Sequence, residues 1–199
     1  MKPKLTIHLL VILFLSISIG LLISQKQQEL RTRAATTTKL YFSPQATLLK
    51  PIEKKANEEF SIDVMMDPSG NNISLLRLLI EYNTTAFEAT GKNTFVVNTD
   101  AFPTIMEGPV IDVDNGVIFI TFSVGAERPK AIQKVTKIGK ITLKAKKAVP
   151  LLASTISFNT KTVAFSVNPN DHAYENVVGS AEPAYIAVND GEPTPEPAE

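Results

Sequence analysis

The sequence contains no cysteine and no tryptophan, and it has two histidines among 199 residues. The lack of cysteine excludes disulfides, thiolate metal sites and a cysteine nucleophile. His8 lies in an apolar run and His172 in a polar segment, so a nucleophile–base pair would need an unusual base. The sequence therefore predicts a protein that is not an enzyme and has no cofactor. Paired carboxylates for glycoside hydrolysis stay open, because sequence does not give their separation.

No sign of charge dominates, since 20 basic and 20 acidic side chains balance. A nucleic-acid partner would need a clustered basic face, and the sequence has none, so we expect no nucleic-acid binding. The lysines between Lys130 and Lys147 alternate with apolar residues over part of this range. We interpret them as a solvated strand face, which also discourages pairing between sheet edges.

The N-terminal segment, residues 1–33, begins with Lys2 and Lys4, followed by the apolar run Leu5–Ser24. A run of about 20 such residues is long enough to cross a bilayer as a helix. Polar residues from Gln25 to Arg33 separate it from Ala34, far from the usual position of a cleavage site. We predict an uncleaved transmembrane anchor with the C-terminal part outside a bacterial cell. A cleaved signal, and hence secretion, is the alternative.

The stretch from Leu75 to Gly91 organises the rest of the chain. Leu76, Leu78, Ile80 and Tyr82 alternate with Leu75, Arg77, Leu79 and Glu81, which predicts a strand buried mainly on one face. Asn83, Thr84 and Thr85 then favour a turn, because their side chains bond to nearby backbone.

Most other apolar segments repeat the same period of two. Phe60 to Met66, Ile138 to Ala145 and Ala184 to Val188 are examples, and no long helix is predicted beyond the N-terminal segment. About nine short strands separated by turns predict an all-β, antiparallel β-sandwich over residues 34–189. Residues 190–199 form an acidic, proline-rich tail or linker.

A hairpin is the clearest local signal. Asn115-Gly116 favours a two-residue type I′ turn between Val110–Asp114 and Val117–Val124. This turn would place Val113 opposite Ile118, Ile111 opposite Ile120, and Asp112 opposite Phe119. The segment lacks the later acidic ligand of an EF-hand, so we interpret it as a turn and not as a calcium loop.

The segment Ile80-Glu81-Tyr82-Asn83-Thr84-Thr85-Ala86-Phe87-Glu88, followed by Gly91, resembles the Y-D-x-x-x-L-E signature of cohesin modules. Val117–Val124, Gly139–Ala145 and Val177–Ser180 stand where that family has its hairpin and its later strands. Asn83 replaces the usual Asp, and Phe87 the usual Leu. The resemblance spans about Thr38 to Asn189 and implies a jelly-roll sandwich of the cohesin kind.

The resemblance also implies non-catalytic protein docking in polysaccharide-degrading or cell-surface assemblies, with a calcium-loaded dockerin-like module as partner. Its candidate partner-binding residues are Arg77, Leu79, Asp112, Phe119 and Thr121. A carbohydrate-binding module of the same fold, with a polysaccharide as ligand, is one alternative. A structural stalk or adhesin domain is another. The absence of tryptophan lowers the expectation of glycan binding, since sugar-binding faces stack rings on flat aromatic side chains.

Overall fold

The computed structural model describes residues 37–125, 130–167 and 174–190. These residues form fourteen strands and short 3-10 turns at Gly91–Asn93 and Leu151–Ala153. The strands are β1 Thr38–Ser43, β2 Ile52–Lys55, β3 Glu59–Asp67, β4 Ile73–Tyr82, β5 Phe87–Ala89, β6 Phe95–Val97, β7 Thr104–Asp112, β8 Val117–Ser123, β9 Thr136–Ala145, β10 Thr155–Phe158, β11 Val163–Val167, β12 Tyr174–Asn176, β13 Val178–Ala181 and β14 Ala184–Asn189. The predicted all-β class is confirmed.

The strands form two sheets. The six-stranded sheet has the order β13-β1-β3-β9-β5, and β6 also pairs with β9. The eight-stranded sheet has the order β12-β11-β4-β10-β14-β2, while β8 pairs with β4 and β7 pairs with β8. One edge of β4 pairs with β8. The other edge pairs with β11 along the first half of β4 and with β10 along the second half of β4.

Two details of the predicted sandwich are wrong. The described residues contain fourteen strands, not about nine, because segments of three or four residues such as β2 and β13 are too short to show a period. The sandwich is also not wholly antiparallel, since β1 pairs with β13 and β2 with β14 in parallel. Strands that pair in parallel are far apart in the sequence here, and no local turn pattern predicts their pairing.

The inner sides of both sheets contribute to one hydrophobic core. Leu76, Leu78 and Ile80 of β4 are fully buried, and Tyr82 is 5% exposed, which confirms the predicted alternation. Phe60, Ile62, Val64 and Met66 of β3 and Ile141, Leu143 and Ala145 of β9 are buried as predicted. Aromatic rings fill the middle, where Phe102 and Phe122 meet edge to face at 4.4 Å.

The turn after β4 also forms as predicted. The side-chain oxygen of Asn83 accepts a hydrogen bond from the backbone N–H of Thr85 at 2.8 Å, and its carbonyl accepts the N–H of Phe87 at 2.9 Å. The chain thereby crosses to β5 in the other sheet, where Phe87 is fully buried. An Asn at this position supplies the same local side-chain acceptor as the family's usual Asp.

The predicted hairpin of β7 and β8 exists, but its predicted register is wrong by two residues. Asp112 lies opposite Val117, Ile111 opposite Ile118, and Val110 opposite Phe119. Val113 is 56% exposed and belongs to a four-residue loop instead of the core. Since the shift is an even number of residues, each strand residue keeps the face that was predicted for it.

The side chain of Asp112 explains the longer loop. Its two carboxylate oxygens accept hydrogen bonds from the backbone N–H of Asn115 at 3.0 Å and from the Asn115 side chain at 2.8 Å. Gly116 has a φ of +66°, whereas Asn115 is not among the positive-φ residues, so the pair does not form a type I′ turn. The Gly116 carbonyl accepts the N–H of Tyr82 at 2.8 Å, which attaches the loop to the end of β4.

No helix within the described ranges is long and apolar enough to span a membrane. The predicted spanning segment Leu5–Ser24 and the rest of residues 1–33 lie outside the described residues. Of the predicted tail, Asp190 is described, and its carboxylate accepts the N–H of Ala148 at 2.9 Å. Residues 191–199 lie outside the described part.

The first and last described strands leave the sandwich at opposite ends. Thr38 donates a hydrogen bond from its hydroxyl to the carbonyl of Pro68, just after β3 ends. Asn189 accepts the N–H of Ala56, just before β3 begins. The two positions are therefore separated by roughly the length of β3, about 27 Å at 3.4 Å per residue.

Candidate functional site

The outward side of the eight-stranded sheet carries the candidate site. We call the outward-pointing residues of β11, β4, β8 and β7 the β4 face. Its position follows from alternation, because Leu76, Leu78 and Ile80 point into the core and their neighbours Leu75, Arg77 and Leu79 must point away from it. In β8, Ile118, Ile120 and Phe122 are buried, so Phe119 and Thr121 point outward beside them.

The four strands bring side chains into rows across the β4 face. One row runs through Val163, Arg77, Thr121 and Glu107. The next rows pair Phe165 with Leu75 and Ser123, and Leu79 with Phe119 and Val110. The last row pairs Glu81 with Val117 and Asp112.

Apolar side chains dominate these rows. Leu75, Leu79, Phe119, Val163 and Phe165 are half-buried, and Val110 is 54% exposed. They form an apolar strip that no described element covers. A contiguous exposed apolar surface on a folded protein often marks an interaction site.

Arg77 lies exposed within this strip. Its guanidinium carbon is 5.3 Å from the centroid of the Phe119 ring, a cation–π distance. Among the strand residues of the β4 face described here, Arg77 is the one cation, while Glu81, Glu107 and Asp112 are acidic. Glu81 accepts a hydrogen bond from the side chain of Asn159, and Asp112 accepts two from Asn115.

The electrostatics of the β7 end centre on Asp112. Hydrogen bonds from the side chain and the backbone N–H of Asn115 lower the pKa of Asp112 below its ordinary value. Asp112 therefore stays charged at neutral pH. Burial, and secondarily the negative charge of Asp112, raise the pKa of the Tyr82 hydroxyl, which is buried without a hydrogen-bond partner. Tyr82 is thus a neutral core residue.

The outward side of the six-stranded sheet differs sharply. We call the outward residues of β1, β3 and β9 the charged face. Lys39 lies opposite Asp67, Lys140 opposite Asp63, and Lys144 opposite Glu59. Asp63 also forms a 2.6 Å ion pair with Lys137. Opposite charges at facing positions of neighbouring strands attract one another, so this face agrees with the predicted solvated strand face.

Within the described ranges, no group of three or more His, Asp or Glu side chains is placed to hold a metal ion. The Asp112–Asn115 segment belongs to the four-residue hairpin loop described above, in place of the predicted two-residue turn. His172 lies outside the described residues.

The structure brings together all five residues that the resemblance singled out. Arg77, Leu79, Phe119 and Thr121 are neighbours on β4 and β8, and Asp112 lies at the end of β7 on the same face. Asp112 is opposite Val117, however, and not opposite Phe119 as predicted. Sequence reasoning did not assign Val163, Phe165 or Glu107 to this face. The alternation of Val163, Phe165 and Val167 was visible, but its pairing with β4 was not.

The comparison with family models decides the family. The model of the cohesin domain matches residues 45–181, more than half of the chain. This chain belongs to the cohesin domain family. Cohesin domains are binding modules without catalytic activity, which fits the expectation that the chain is not an enzyme. A comparison with curated proteins finds no match.

Solved cohesin structures share the fold at low sequence identity. The CaCohA2 cohesin of Clostridium acetobutylicum has a TM-score of 0.56 at 14% identity, covering 81% of this chain and 98% of that chain. The seventh ScaB type I cohesin of Pseudobacteroides cellulosolvens has a TM-score of 0.54 at 13% identity, with the same coverage of 81% and 98%. The OlpC type I cohesin–dockerin complex of Clostridium thermocellum has a TM-score of 0.53 at 14% identity, covering 79% and 97%.

Proposed function

We propose that this cohesin domain is a surface-displayed docking module whose β4 face binds a dockerin-like protein. The observation that carries the proposal is the contrast between its two outer faces. The charged face carries opposite charges at facing cross-strand positions and the ion pair of Asp63 with Lys137, whereas the β4 face carries an uncovered apolar strip. Burying the apolar strip against a partner is favourable, but burying the charged face would require desolvating its ions.

A helical partner fits the shape of this strip. Half-buried apolar side chains on adjacent strands form a surface on which the apolar side of an amphipathic helix can lie. The solved cohesins similar to this chain include complexes with dockerins from Clostridium thermocellum and R. flavefaciens. These complexes support a protein partner for this chain.

Carbohydrate binding is less well supported. Glycan sites stack sugar rings on open aromatic faces, but Arg77 covers the ring of Phe119 at 5.3 Å. Phe165 is the other aromatic residue of the β4 face, and it is half-buried. Two separated phenylalanine rings, one of them covered, make a poor stacking platform. An uncovered apolar strip is unfavourable in water unless a partner buries it, so the strip also weighs against a purely structural stalk without a ligand.

Display at a bacterial surface rests on the sequence. The apolar run Leu5–Ser24 is long enough to anchor the chain, and the sandwich would then lie outside the membrane. Cleavage of this leader would release the same module into the medium. Fractionation of cells that express the full chain, followed by carbonate extraction of the membranes, would distinguish the two. An integral anchor stays in the membrane pellet.

The docking proposal is tested with the full chain in mild detergent against a panel of calcium-loaded dockerin modules. Leu79→Glu places a charge in the apolar strip and should weaken binding at least about a hundredfold, because the charge would be desolvated in the complex. Val96→Glu is the matched control, since Val96 is apolar, 47% exposed, and lies on β6 in the other sheet. Binding to no dockerin, or equal binding by Leu79→Glu and the wild type, would contradict the proposal.

A further inference from the structure

We infer that the partner's helix carries a carboxylate against Arg77 and, two helical turns away, a cation against Glu107. This inference rests on the proposed docking function and specifies the chemistry of the partner. The charges of the β4 face and their spacing carry it.

Arg77 is positioned for an anion that the described residues do not supply. Within the described part of the chain it forms no ion pair and donates no side-chain hydrogen bond, and its guanidinium lies near the Phe119 ring. A guanidinium over an aromatic ring keeps N–H groups free to donate to an anion, because the ring face accepts no conventional hydrogen bond from all five of them. The ring fixes the group in place, so a partner would not have to order a flexible side chain there.

Glu107 is the complementary group in the same row. It is exposed on β7 and lies opposite Thr121, which lies opposite Arg77. Within the described residues Glu107 has no ion pair. In contrast, Glu81 and Asp112 already accept hydrogen bonds from asparagine side chains. Among the charged strand residues of the β4 face, Arg77 and Glu107 are thus the two whose side chains make no ion pair or hydrogen bond within the described part of the chain.

The spacing of this pair matches a helix that crosses the strands. Arg77 and Glu107 are two strands apart, which separates their backbones by about 9.6 Å at 4.8 Å per strand. Residues i and i+7 of a helix lie on the same side and are about 10.5 Å apart along the axis. A helix across β4, β8 and β7 can therefore contact both charges, and apolar residues between them can meet the strip. For a helix that runs in one given direction across the strands, the opposite order of charges would place like charges together.

The test uses a phage-displayed library of calcium-loaded dockerin modules with randomised helix surfaces. It is selected on the full wild-type chain and on the full-length double variant Arg77→Glu with Glu107→Lys. Wild-type binders should carry Asp or Glu at one position and Lys or Arg seven residues away. Binders of the swapped variant should carry the reverse order. Each binder should lose at least about tenfold in affinity on the other protein.

The control variant reverses the pair Lys39 and Asp67, which lie opposite one another on the charged face. Lys39→Glu with Asp67→Lys keeps the net charge and should select the wild-type pattern. If binders of the wild type and binders of the double variant Arg77→Glu with Glu107→Lys share one charge pattern, the inference is overturned while the docking function stands. If no library member is enriched on either protein, the docking function fails and the inference with it.

Discussion

The guanidinium of Arg77 lies over the ring of Phe119, one strand away and one row along the sheet, at 5.3 Å from its centroid. Both residues point outward from the eight-stranded sheet, so the contact is made at the surface and not in the core. It joins the one cation among the described strand residues of the β4 face to the apolar strip.

This contact should be measurable without any partner. A double-mutant cycle with Arg77→Met and Phe119→Leu should give a coupling free energy of about 0.5–1 kcal/mol, the range for exposed cation–π pairs. Chemical denaturation of the wild type, both single variants and the double variant measures it. Both substitutions leave an apolar side chain of similar size in place, so the loss of burial largely cancels in the cycle. Additive effects of the two substitutions would show that the contact does not form in solution.

Neighbouring residues on β4 should differ strongly in their effect on stability. Leu78 is fully buried opposite Ile120, and Leu78→Ala should lower the free energy of unfolding by about 2–5 kcal/mol. Leu79 is half-buried on the outward side, and Leu79→Ala should cost less than about 1.5 kcal/mol. Urea denaturation compares the two. Equal costs would contradict this difference in burial, and the reverse order would mean that β4 presents the opposite side to the core.

Gly116 should not tolerate a side chain. Its φ of +66° is unfavourable for other residues, and an added Cβ would lie 2.1 Å from the carbonyl oxygen of Tyr82. Gly116→Ala should lower the free energy of unfolding by about 2 kcal/mol or more, combining strain and displacement of the loop. Gly70→Ala is the control, because Gly70 has a φ of +91° but open space where the Cβ would lie. Thermal denaturation should show the larger loss for Gly116→Ala.

The hairpin loop should contribute to stability in a pH-dependent way. The pKa of Asp112 is lowered by its hydrogen bonds from Asn115, so the charged form is favoured in the folded state. A depressed pKa gives stability above the ordinary value of 3.8, and this stability is lost as the pH falls through the lower folded value. Asp112→Ala should therefore be less stable than the wild type at pH 6, and the difference should shrink towards pH 2.

Melting temperatures between pH 2 and pH 6 test this expectation. Asp114→Ala is the control, because Asp114 lies in the same loop and its carboxylate accepts no hydrogen bond from the described residues. If the Asp112→Ala difference does not change with pH, the carboxylate of Asp112 does not hold the loop in its charged form.

The sequence predicted the parts of the fold that depend on local patterns. Alternation in β4, β3 and β9 placed their buried residues correctly, because one side of each strand meets the core. The hairpin register was wrong, because Asn115-Gly116 suits a two-residue turn in isolation and the Asp112 carboxylate stabilises a longer loop. The start of β7 was missed, since Gly108 and Pro109 interrupt its pattern at an irregularity in pairing.

The candidate site was predictable only in part. Arg77, Leu79, Phe119 and Thr121 were assigned to one face because β4 and β8 are regular strands, and the structure places them together. Val163 and Phe165 join them through pairing of β11 with β4, which links residues 86 and 90 positions apart. Long-range pairing of this kind depends on the complete sheet order, and no short pattern in the sequence contains it.

The position of Thr38 and Asn189 at opposite ends of the sandwich has a mechanical consequence. If the proposed membrane anchor held the N-terminal side and a force acted on the C-terminal side, the tension would pull β1 and β14 along their own axes. Both strands would then resist by shear, in which several backbone hydrogen bonds share the force, instead of opening one by one like a zipper. Single-molecule force spectroscopy with handles at these two residues would measure that resistance. A module built in this way can transmit a pull while its lateral surface stays intact for a bound partner.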